Sequence, residues 1–457
     1  MKKRLLLSTG MFWVLTSNAQ ISDSLAFKTI SDQVLTRGKC YEDLRVLCKT
    51  VGNRISGSPQ AAKAVEWGEK TMRETGCDKV WLQPVVVPVW KRGEEHLALK
   101  FSASGDYEDV PMTSLGNSEG TGGRLLKGDI VMIKSFEEFE KMDKASVEGK
   151  IIFFNYRFRQ DFPNSFPGYG DAVKYRWQSP VIAGKKNPAA IIIRSISTGD
   201  DDYPHTGSTK YEENGLKFPI VAVGNKTADK LEDACLRGNG SAMLRSNCKM
   251  EGTAMSYNVI GEITGSTKPN DYLIVGGHLD SWDIGEGAHD DGAGCVQSME
   301  VLRTMKKLSI RPKRSIRAVL FMNEENGLKG GTAYADSALA RKEKHILALE
   351  SDAGGFSPRG IETTMSKKQR DKFKKYAPLF LPYGVYNFDE EGGGADVSPL
   401  KKQGVVIGEL LPDSQRYFDV HHTDNDVFET VNHRELKLGA AAMTMFIYLV
   451  DKNDLLD

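Results

Sequence analysis

A group of histidine and acidic residues in the second half of the chain follows directly on apolar segments or opens a helix between two of them. Imidazole and carboxylate groups without cysteine favour Zn²⁺ as the bound metal, with Mn²⁺ or Co²⁺ as alternatives. One histidine with two or three carboxylates could hold one ion, whereas two histidines with at least three carboxylates suffice for two ions that share a bridging carboxylate. Such a pair of ions catalyses hydrolysis by holding both the attacking and the departing oxygen. The residues of this group are His278, Asp280, Asp290, Asp291, Glu324, Glu325, Asp352, His421 and His422.

A single histidine or acidic pair in such a pattern has a simpler explanation. Adjacent carboxylates usually lie on a solvated surface or in the first turn of a helix, where the helix dipole favours negative charge. Here, however, the groups follow several apolar segments, and the carboxyl ends of the strands in an open α/β sheet are where functional groups gather. The sequence therefore predicts a metal-dependent hydrolytic site at that edge, with Asp280 orienting the far ring nitrogen of His278.

The segments that carry these residues predict strands that alternate with helices. Continuous apolar runs are typical of strands that are buried on both faces. The alternation predicts an α/β fold with a mixed, largely parallel sheet sandwiched by helices. The predicted strands are 271–278, 315–325, 345–352 and 404–411. The predicted helices are 291–308, 327–342, 366–378 and 433–451.

The sequence pattern of residues 116–254 differs from that of the segments on either side. Short strands such as KIIFFNY and AAIIIRSI alternate there with glycine-rich and charged loops. We therefore expect an inserted domain, mostly β, over 116–254. In this interpretation residues 20–115, helical at first and rich in β-branched residues later, form the first part of the catalytic domain. Residues 255–457 form the rest of it.

The overall composition is that of an ordinary globular protein. Apolar residues make up 40% of the 457 residues and charged residues 27%, which is compatible with a sizeable core. Lys plus Arg and Asp plus Glu number 61 each, so the net charge is zero. We therefore expect neither a nucleic acid nor an anionic membrane as a partner, and no segment after the N-terminal stretch is long and apolar enough to span a membrane.

The first 19 residues have the pattern of a secretion signal. A basic start from Lys2 to Arg4 precedes a short apolar stretch, and Ser17 and Ala19 provide small residues at the spacing of a cleavage site. A membrane anchor and an amphipathic first helix are the alternatives, but the apolar stretch is shorter than the roughly 20 residues that span a bilayer. We expect a secreted or periplasmic protein after removal of 1–19.

Six cysteines are compatible with that compartment. Cys40 and Cys48 are close enough in sequence to pair, as are Cys235 and Cys248, but the spacing establishes neither disulfide. Cys295 falls in a predicted buried helix, where cysteine packs as a small apolar residue.

Taken in order, the motifs resemble those of the co-catalytic zinc exopeptidases, a family that includes bacterial zinc aminopeptidases and glutamate carboxypeptidases. The likeness is strongest to the glutamate carboxypeptidases. It is carried by GGHLDSWDIGEGAHDDGAG, NEENGLKGG, LESDAGGF and HHTDND, which are highly specific as an ordered set. The resemblance implies two Zn²⁺ per chain, one held by His278 and Asp352 and the other by Glu325 and His422. Asp290 would bridge them.

Further roles follow from the same resemblance. Glu324 would be the general base that takes a proton from water and later delivers it to the leaving amine. The peptide bond after Asp290 would be cis. His422 is preferred to His421 as the ligand because it precedes threonine, as the family's ligand precedes threonine or serine. Asp426 would support His422.

Three positions near the motifs have less specific assignments. His289 is expected to be a cleft-wall or solvent-facing residue rather than a third imidazole ligand. In the stretch EEGGGADVSPL, 390–400, Gly393 and Asp396 are expected to contact the substrate, as is His421. Asp396 also matches an acidic position in the family. A flexible surface loop is the alternative for this stretch.

The segment 116–254 resembles the protease-associated domain that is inserted in several of these peptidases. Such a domain would cap the cleft or select substrates by size, and a spacer is the alternative role. The family resemblance also implies a homodimer.

These features together predict a secreted, metal-dependent exopeptidase that hydrolyses dipeptides or short peptides. An aminopeptidase with the same metal centre is the nearest alternative, because specificity lies in loops that the motifs do not cover. A catalytically inactive receptor module is disfavoured by the complete ligand set and by Glu324. A two-metal phosphoesterase would be expected to carry more His and Asn ligands and an anion-binding, glycine-rich turn.

Overall fold

The computed structural model describes residues 23–457, and a seven-stranded mixed sheet forms the centre of that part of the chain. A second sheet has eight strands. The predicted leader, 1–19, lies outside the described residues. The strands in chain order are β1 Lys79–Lys91, β2 Glu95–Lys100, β3 Glu108–Asp109, β4 Met112–Ser114, β5 Leu126–Ile133, β6 Ile151–Phe154, β7 Ala190–Arg194, β8 Ile220–Val223, β9 Ser241–Ser246, β10 Lys249–Ile263, β11 Lys268–His278, β12 Arg314–Phe321, β13 Lys344–Glu350, β14 Pro358–Thr363 and β15 Val406–Pro412.

The central sheet has the strand order β1-β10-β12-β11-β13-β15-β14. The neighbours β12, β11, β13 and β15 run parallel, whereas the outer strands pair antiparallel. These parallel strands are the ones that the apolar runs predict. On β11, Leu273 and Val275 face one hydrophobic core and Ile274 faces another, as the two-residue period of a strand requires. The predicted mixed α/β sheet is therefore confirmed.

Helices cover both faces of the central sheet. The helices in chain order are α1 at 23–37, α2 Cys40–Val46, α3 Pro59–Glu74, α4 Phe136–Lys141, α5 Lys144–Val147, α6 Phe166–Trp177, α7 Ser179–Gly184, α8 Asn225–Leu236, α9 Ala293–Lys307, α10 Lys329–Ala340, α11 Lys367–Phe373, α12 Tyr417–Val420 and α13 His433–Lys452. Short 3₁₀ or π segments lie at Leu47–Val51, Ala288–Gly292, Ala377–Tyr383, Ser398–Gln403 and Phe428–Thr430. Helices α2, α3, α9 and α13 pack into the core on one face, and α10 packs into the core on the other. The side chains of Ser58 and Asn432 cap the starts of α3 and α13 by accepting backbone hydrogen bonds.

The second sheet has the order β3-β2-β9-β5-β6-β7-β8-β4, so its strands extend from residue 95 to residue 246. The observed bounds, 95 and 246, differ from the predicted boundaries, 116 and 254. The reason is that β2, β3 and β4 belong to the second sheet, whereas β10 belongs to the central one. Helices α4 to α8 lie in the same segment, so it is α/β rather than mostly β. An alternating or apolar pattern marks a strand, but it does not specify which sheet the strand joins.

Residues 95–246, here called the second-sheet unit, contact the segment 418–422, which follows β15 of the central sheet. The backbone N–H of Thr206 donates a hydrogen bond of 2.9 Å to the carbonyl of His422. The hydroxyl of Ser197 donates one of 2.9 Å to the carbonyl of Phe418. The unit is therefore held directly against the segment that carries the histidine pair.

The six cysteines are free thiols in the structure, so neither Cys40 with Cys48 nor Cys235 with Cys248 forms a disulfide. Cys295 is buried in α9, as predicted. Across residues 23–457, no helix combines the length and the apolar character that crossing a membrane requires.

Candidate metal centre

Side chains at the carboxyl ends of the central strands meet in one cleft. His278 is the last residue of β11, and Glu324 and Glu325 follow closely on β12. Asp352 follows β13, and His422 comes after α12, which itself follows β15. Because the carboxyl ends of parallel strands share one edge of the sheet, residues distant in sequence come together there.

The carboxylate of Asp290 lies between two imidazole rings. Its Oδ1 is 3.1 Å from Nε2 of His278, and its Oδ2 is 3.2 Å from Nε2 of His422. Each ring also faces a second carboxylate. Nε2 of His278 lies 3.2 Å from Oδ1 of Asp352, and Nε2 of His422 lies 3.2 Å from Oε2 of Glu325. The five residues thus form two imidazole–carboxylate pairs with Asp290 between them.

The atoms of these residues fit metal ions. Oδ2 of Asp290 and Oδ1 of Asp352 are buried and have no hydrogen-bond partner among residues 23–457. Burial opposes the charged form of His422, but the carboxylates of Glu325 and Asp290 outweigh it and raise the pKa of His422 to about 9. Carboxylates that attract a proton to this ring would also attract a cation. Imidazole nitrogens and carboxylate oxygens are the donors that zinc accepts.

Asp280 contacts His278 through its backbone and Glu324 through its side chain. Nδ1 of His278 lies 2.9 Å from the carbonyl oxygen of Asp280, whereas the carboxylate of Asp280 is 3.9 Å away. That carboxylate accepts hydrogen bonds from the backbone N–H groups of Asn323 at 2.6 Å and of Glu324 at 3.1 Å. The prediction that the Asp280 side chain orients His278 is therefore corrected. The carbonyl orients the ring, and the carboxylate fixes the backbone at Glu324.

Asp426 holds the backbone at Asp290 rather than the ring of His422. Its carboxylate accepts hydrogen bonds from the N–H groups of His289 at 2.7 Å and of Asp290 at 3.1 Å. Nδ1 of His422 instead lies 3.1 Å from the carbonyl oxygen of Thr206, in the second-sheet unit. The predicted support of His422 by Asp426 is thus replaced by a contact that the sequence did not indicate.

The peptide bond between Asp290 and Asp291 is cis, as the family resemblance implies. The carboxylate of Asp291 points away from the two imidazole rings. It accepts hydrogen bonds from the N–H groups of His278 at 2.9 Å and of Gly294 at 2.8 Å. Asp291 therefore joins the end of β11 to the start of α9, while Asp290 faces the cleft.

His421 and His422 stack on each other with 3.5 Å between their ring centroids. Both rings are close enough to Asp290 to share a metal ion with it. Nε2 of His422 is 3.2 Å from both Asp290 and Glu325, whereas Nε2 of His421 is 3.7 Å from Asp290. Burial and the neighbouring His422 also lower the pKa of His421 well below its ordinary value. The shorter contacts favour His422, the residue that the sequence selects, and His421 lines the cleft beside it.

Glu324 lines the same cleft without joining either pair. Burial and the negative charges of Asp352 and Glu325 raise the pKa of Glu324 well above its ordinary range. Burial and Asp290 raise the pKa of Glu325 to about 7. A carboxylate with a raised pKa is a stronger proton acceptor than an exposed one, which suits Glu324 to act as a general base.

His289 and Gly393 lie away from the cleft. His289 is fully buried, stacks on Phe356 with 4.2 Å between ring centroids, and accepts a hydrogen bond from the N–H of Gly355. It is therefore neither solvent-facing nor a part of the cleft wall. Gly393 packs against β15, where a Cβ would come within 2.7 Å of Cγ1 of Ile407.

The stretch 390–400 packs against the edge of the sheet instead of extending over the substrate site. Asp396 is only 1% exposed, and its N–H donates a hydrogen bond of 3.3 Å to Glu350. Burial and the charge of Glu350 raise the pKa of Asp396 well above its ordinary value. Ala395 is the residue of this stretch that lines the cleft. Gly393 and Asp396 are not among the lining residues, and the substrate contacts expected of them stay a prediction.

The cleft encloses a cavity of about 390 Å³, a size typical of small-molecule sites. Acidic side chains and the histidine pair line one side of it. The second-sheet unit forms part of the opposite wall and contributes Phe166, Tyr169, Arg176, Trp177 and Ser208.

Two buried arginines that the sequence pattern did not single out shape this site. Arg54 donates hydrogen bonds to the carbonyls of Leu279 at 2.6 Å and Gly287 at 2.9 Å, and so fixes the loop that leads from β11 to the cis peptide. Arg176 lies in the cavity wall with Nη1 3.2 Å from Nδ1 of His422. Both act across more than 200 residues of sequence, and no local motif marks them.

Residues 258–447 match peptidase family M28. Carboxypeptidase Q of Bos taurus is 33% identical over 415 residues, which cover 91% of this chain and 85% of that protein. The chain belongs to peptidase family M28. The likeness to glutamate carboxypeptidases and zinc aminopeptidases that the motifs indicate is therefore confirmed.

Solved structures of M28 peptidases have the same fold. The peptidase M28 precursor from Shewanella amazonensis SB2B is 32% identical and superposes with a TM-score of 0.90, covering 94% of this chain and 97% of that one. BSAP, a zinc aminopeptidase from Bacillus subtilis, is 21% identical with a TM-score of 0.65, covering 91% and 94%. The predicted fold class is thus confirmed, and membership of a peptidase family confirms an enzyme rather than a binding module.

Proposed function

We propose that this M28 peptidase is a secreted exopeptidase that uses two zinc ions to hydrolyse dipeptides or short peptides, with a specificity like that of carboxypeptidase Q. The position of Asp290 carries the proposal. Its two carboxylate oxygens face different imidazole–carboxylate pairs, and a carboxylate so placed is suited to bridge two metal ions.

The two pairs supply the remaining ligands. His278 and Asp352 would hold one ion, and His422 and Glu325 would hold the other, with Mn²⁺ or Co²⁺ as alternatives to zinc. When bound, a pair of zinc ions lowers the pKa of a water molecule and polarises a carbonyl group. The buried Oδ2 of Asp290 and Oδ1 of Asp352 support this assignment, because each faces an imidazole nitrogen at 3.2 Å and makes no hydrogen bond of good geometry. A cation between such groups would neutralise the buried negative charge.

Glu324 is the general base in this proposal. Its carboxylate lines the cavity, and its raised pKa suits it to take a proton from the attacking water and to pass that proton to the leaving amine. Asp280 positions this base, because its carboxylate holds the backbone N–H groups of Asn323 and Glu324.

The size of the cavity supports small substrates. A cleft of about 390 Å³, with the second-sheet unit in its wall, favours dipeptides and short peptides over long chains. The extensive similarity to carboxypeptidase Q favours release of a carboxyl-terminal residue. An aminopeptidase is the second candidate, because BSAP, a zinc aminopeptidase, shares the fold and the fold alone does not select one terminus.

The proposal also includes export and assembly. The basic and apolar pattern of 1–19 supports a cleaved leader and a secreted or periplasmic enzyme. A homodimer is proposed from the family resemblance.

The test is hydrolysis of one dipeptide, alanylalanine, in three forms by the zinc-loaded enzyme. One form has both ends free, one has an acetylated amino end and one has an amidated carboxyl end. Cleavage of the acetylated form without the amidated form supports a carboxypeptidase, and the reverse pattern supports an aminopeptidase. Cleavage of the doubly free form alone identifies a dipeptidase. If a protein that binds two zinc ions cleaves none of them, the proposal is wrong.

Glu324→Gln is the matched control for this assay. The amide is nearly the same size as the carboxylate but does not accept a proton, so we expect zinc content to be retained and turnover to fall by about 10²- to 10⁴-fold. Turnover equal to that of the wild type would exclude Glu324 as the base.

A further inference from the structure

Glu409 is a carboxylate of the cleft wall that the proposed function does not use. The acidic side chains that line the cleft are Asp290, Glu324, Glu325, Asp352 and Glu409. The first four supply the bridge, the base and one carboxylate of each imidazole–carboxylate pair. Within residues 23–457, the carboxylate of Glu409 makes no ion pair and accepts no hydrogen bond. It is therefore an acceptor that is left for a ligand in the cleft.

The register of the central sheet places Glu409 among other carboxylates. Glu409 of β15 lies opposite Glu350 of β13 on one side and Glu362 of β14 on the other. Like charges directly opposite each other on neighbouring strands are destabilising. Burial and the charges of Asp352, Glu350 and Glu362 raise the pKa of Glu409 well above its ordinary value. The charged form of Glu409 thus lacks a stabilising partner, which a cation in the cleft would supply.

The glycine-rich stretch 390–400 covers both neighbours of Glu409. Glu350 accepts hydrogen bonds from two backbone N–H groups of this stretch, at 3.0 and 3.3 Å. Gly392 lies against Glu362, where a Cβ would come within 2.0 Å of Oε1. The backbone of this stretch thus occupies the two outer carboxylates of the row, whereas the middle one, Glu409, lines the cavity.

We propose that Glu409 binds the positively charged side chain of a lysine or arginine residue in the substrate. This inference rests on the proposed function and names the class of peptides that the cleft selects. A carboxylate binds an ammonium or guanidinium group through charge-assisted hydrogen bonds, which are roughly twice as strong as neutral ones. Metal ions would neutralise the carboxylates of the two pairs, but Glu409 belongs to neither pair, so its charge is available to the substrate.

The distance from the metal centre favours a side chain over the free amino end of the substrate. Glu350, which is opposite Glu409, precedes Asp352 by two residues. With about 3.3 Å per residue along a strand and about 4.8 Å between strands, the Cα atoms of Glu409 and Asp352 are about 8 Å apart. The α-amino nitrogen of a dipeptide is only about 2.5 Å from the carbonyl carbon that is attacked. The four-carbon stem of lysine carries its ammonium group farther from that carbon.

The test compares lysine with norleucine, which has the same four-carbon chain without the ammonium group. The substrates are lysylalanine, norleucylalanine, alanyllysine and alanylnorleucine, so both positions of a dipeptide are probed on the zinc-loaded enzyme. We expect the wild type to prefer lysine at one position. Glu409→Gln should lower the ratio of kcat/KM for lysine to that for norleucine by about 10- to 150-fold at that position, because a hydrogen bond between charged groups is lost.

Glu391→Gln is the matched control. Glu391 is exposed and is not among the residues that line the cleft. Both variants remove one negative charge, so an effect of net charge alone would appear in both. Glu409→Asp keeps the carboxylate on a shorter side chain and should retain part of the preference for lysine. Zinc content and thermal unfolding are measured for each variant.

The ratio separates substrate binding from a structural role. If Glu409→Gln lowers kcat/KM for the lysine and norleucine dipeptides equally, the carboxylate acts on the α-amino end or on the fold, and the inference is wrong. The inference is also wrong if the variant changes neither value. A wild-type enzyme without a preference for lysine at either position overturns it while leaving the peptidase intact.

A failure of the proposed function is distinguishable from these outcomes. If the wild-type enzyme cleaves none of the four dipeptides, their dissociation constants are measured by calorimetry on the zinc-loaded protein. Tighter binding of a lysine dipeptide than of its norleucine counterpart, abolished by Glu409→Gln, still supports the site for a basic side chain. Equal binding of the lysine and norleucine dipeptides overturns it.

Discussion

Replacing Asp426 by alanine should weaken the metal centre although Asp426 is not one of its ligands. The carboxylate is 3% exposed and accepts the N–H groups of His289 and Asp290. Asp426→Ala leaves both buried donors without a partner, at about 1–3 kcal/mol each, or about 2–6 kcal/mol in the free energy of unfolding. Because Asp290 then loses its fixed backbone, we also expect zinc affinity to fall by about 10- to 100-fold, as for other residues that support metal ligands.

Two measurements check this prediction. Denaturant unfolding of the zinc-free protein gives the loss of stability, and competition with a chromogenic chelator gives the zinc affinity. Asp424→Ala is the matched control, since Asp424 is an exposed aspartate nearby in the same turn that accepts only a long hydrogen bond of 3.3 Å from Gly285. We expect this variant to be within about 0.5 kcal/mol of the wild type.

An intermediate variant sharpens the result. Asp426→Asn keeps one acceptor oxygen, so it should lose less stability than Asp426→Ala. If Asp426→Ala binds zinc as tightly as the wild type and unfolds at the same denaturant concentration, the backbone at Asp290 does not depend on Asp426 and the reasoning fails.

Three further predictions concern other parts of the molecule. Asp290→Ala should lose both zinc ions, measured by atomic emission, because the bridging carboxylate serves both pairs. Gly394→Ala should destabilise the protein by about 1–3 kcal/mol in denaturant unfolding, because a Cβ would come within 2.3 Å of the Glu350 carboxylate. Burial and the positive charge of Arg317 lower the pKa of His345 from 6.5 to about 4. The unfolded chain therefore binds the proton more tightly, and stability should fall by about 3 kcal/mol as the pH drops from 6.5 towards 4.

A control variant or a contrary outcome accompanies each of these predictions. Retention of one full equivalent of zinc by Asp290→Ala would contradict a shared bridge. Gly170→Ala is the control for Gly394→Ala, because a Cβ at position 170 meets nothing within 4 Å in helix α6 and should not destabilise. For the pH prediction, His345→Asn should unfold with a shallower dependence on pH between 4 and 6.5, and an unchanged dependence would refute it.

The sequence by itself predicted the four parallel strands of the central sheet and the polar residues that follow them. Apolar runs predicted β11, β12, β13 and β15, because a strand that is buried on both faces is apolar along its whole length. Apolar residues at helical spacing predicted the helices between them, because such a helix is buried along one side. The order of the motifs then identified the family. The resemblance then implied the metal-ligand roles of His278, Asp290, Glu325, Asp352 and His422, which stay a prediction, while the strand ends placed such groups at one edge of the sheet.

Only the tertiary structure decided which atoms meet at that edge. The carbonyl and the carboxylate of Asp280 are both near His278. The carbonyl contacts the imidazole ring, and the carboxylate accepts a hydrogen bond from the backbone N–H of Glu324. Likewise, Asp426 supports Asp290, and the contact with Nδ1 of His422 is made by Thr206 instead. The sequence pattern indicates whether a residue is buried, but it does not indicate which group becomes its hydrogen-bond partner.

The strand pairing of the second-sheet unit likewise could not be predicted from local sequence patterns. Strands β2, β3 and β4 carry no local pattern that assigns them to one sheet, and only long-range pairing placed them in the second sheet. That pairing brings Arg176 beside His422, 246 residues away in the chain. No local pattern encodes such a contact, because it depends on how the second-sheet unit packs against the segment that follows β15.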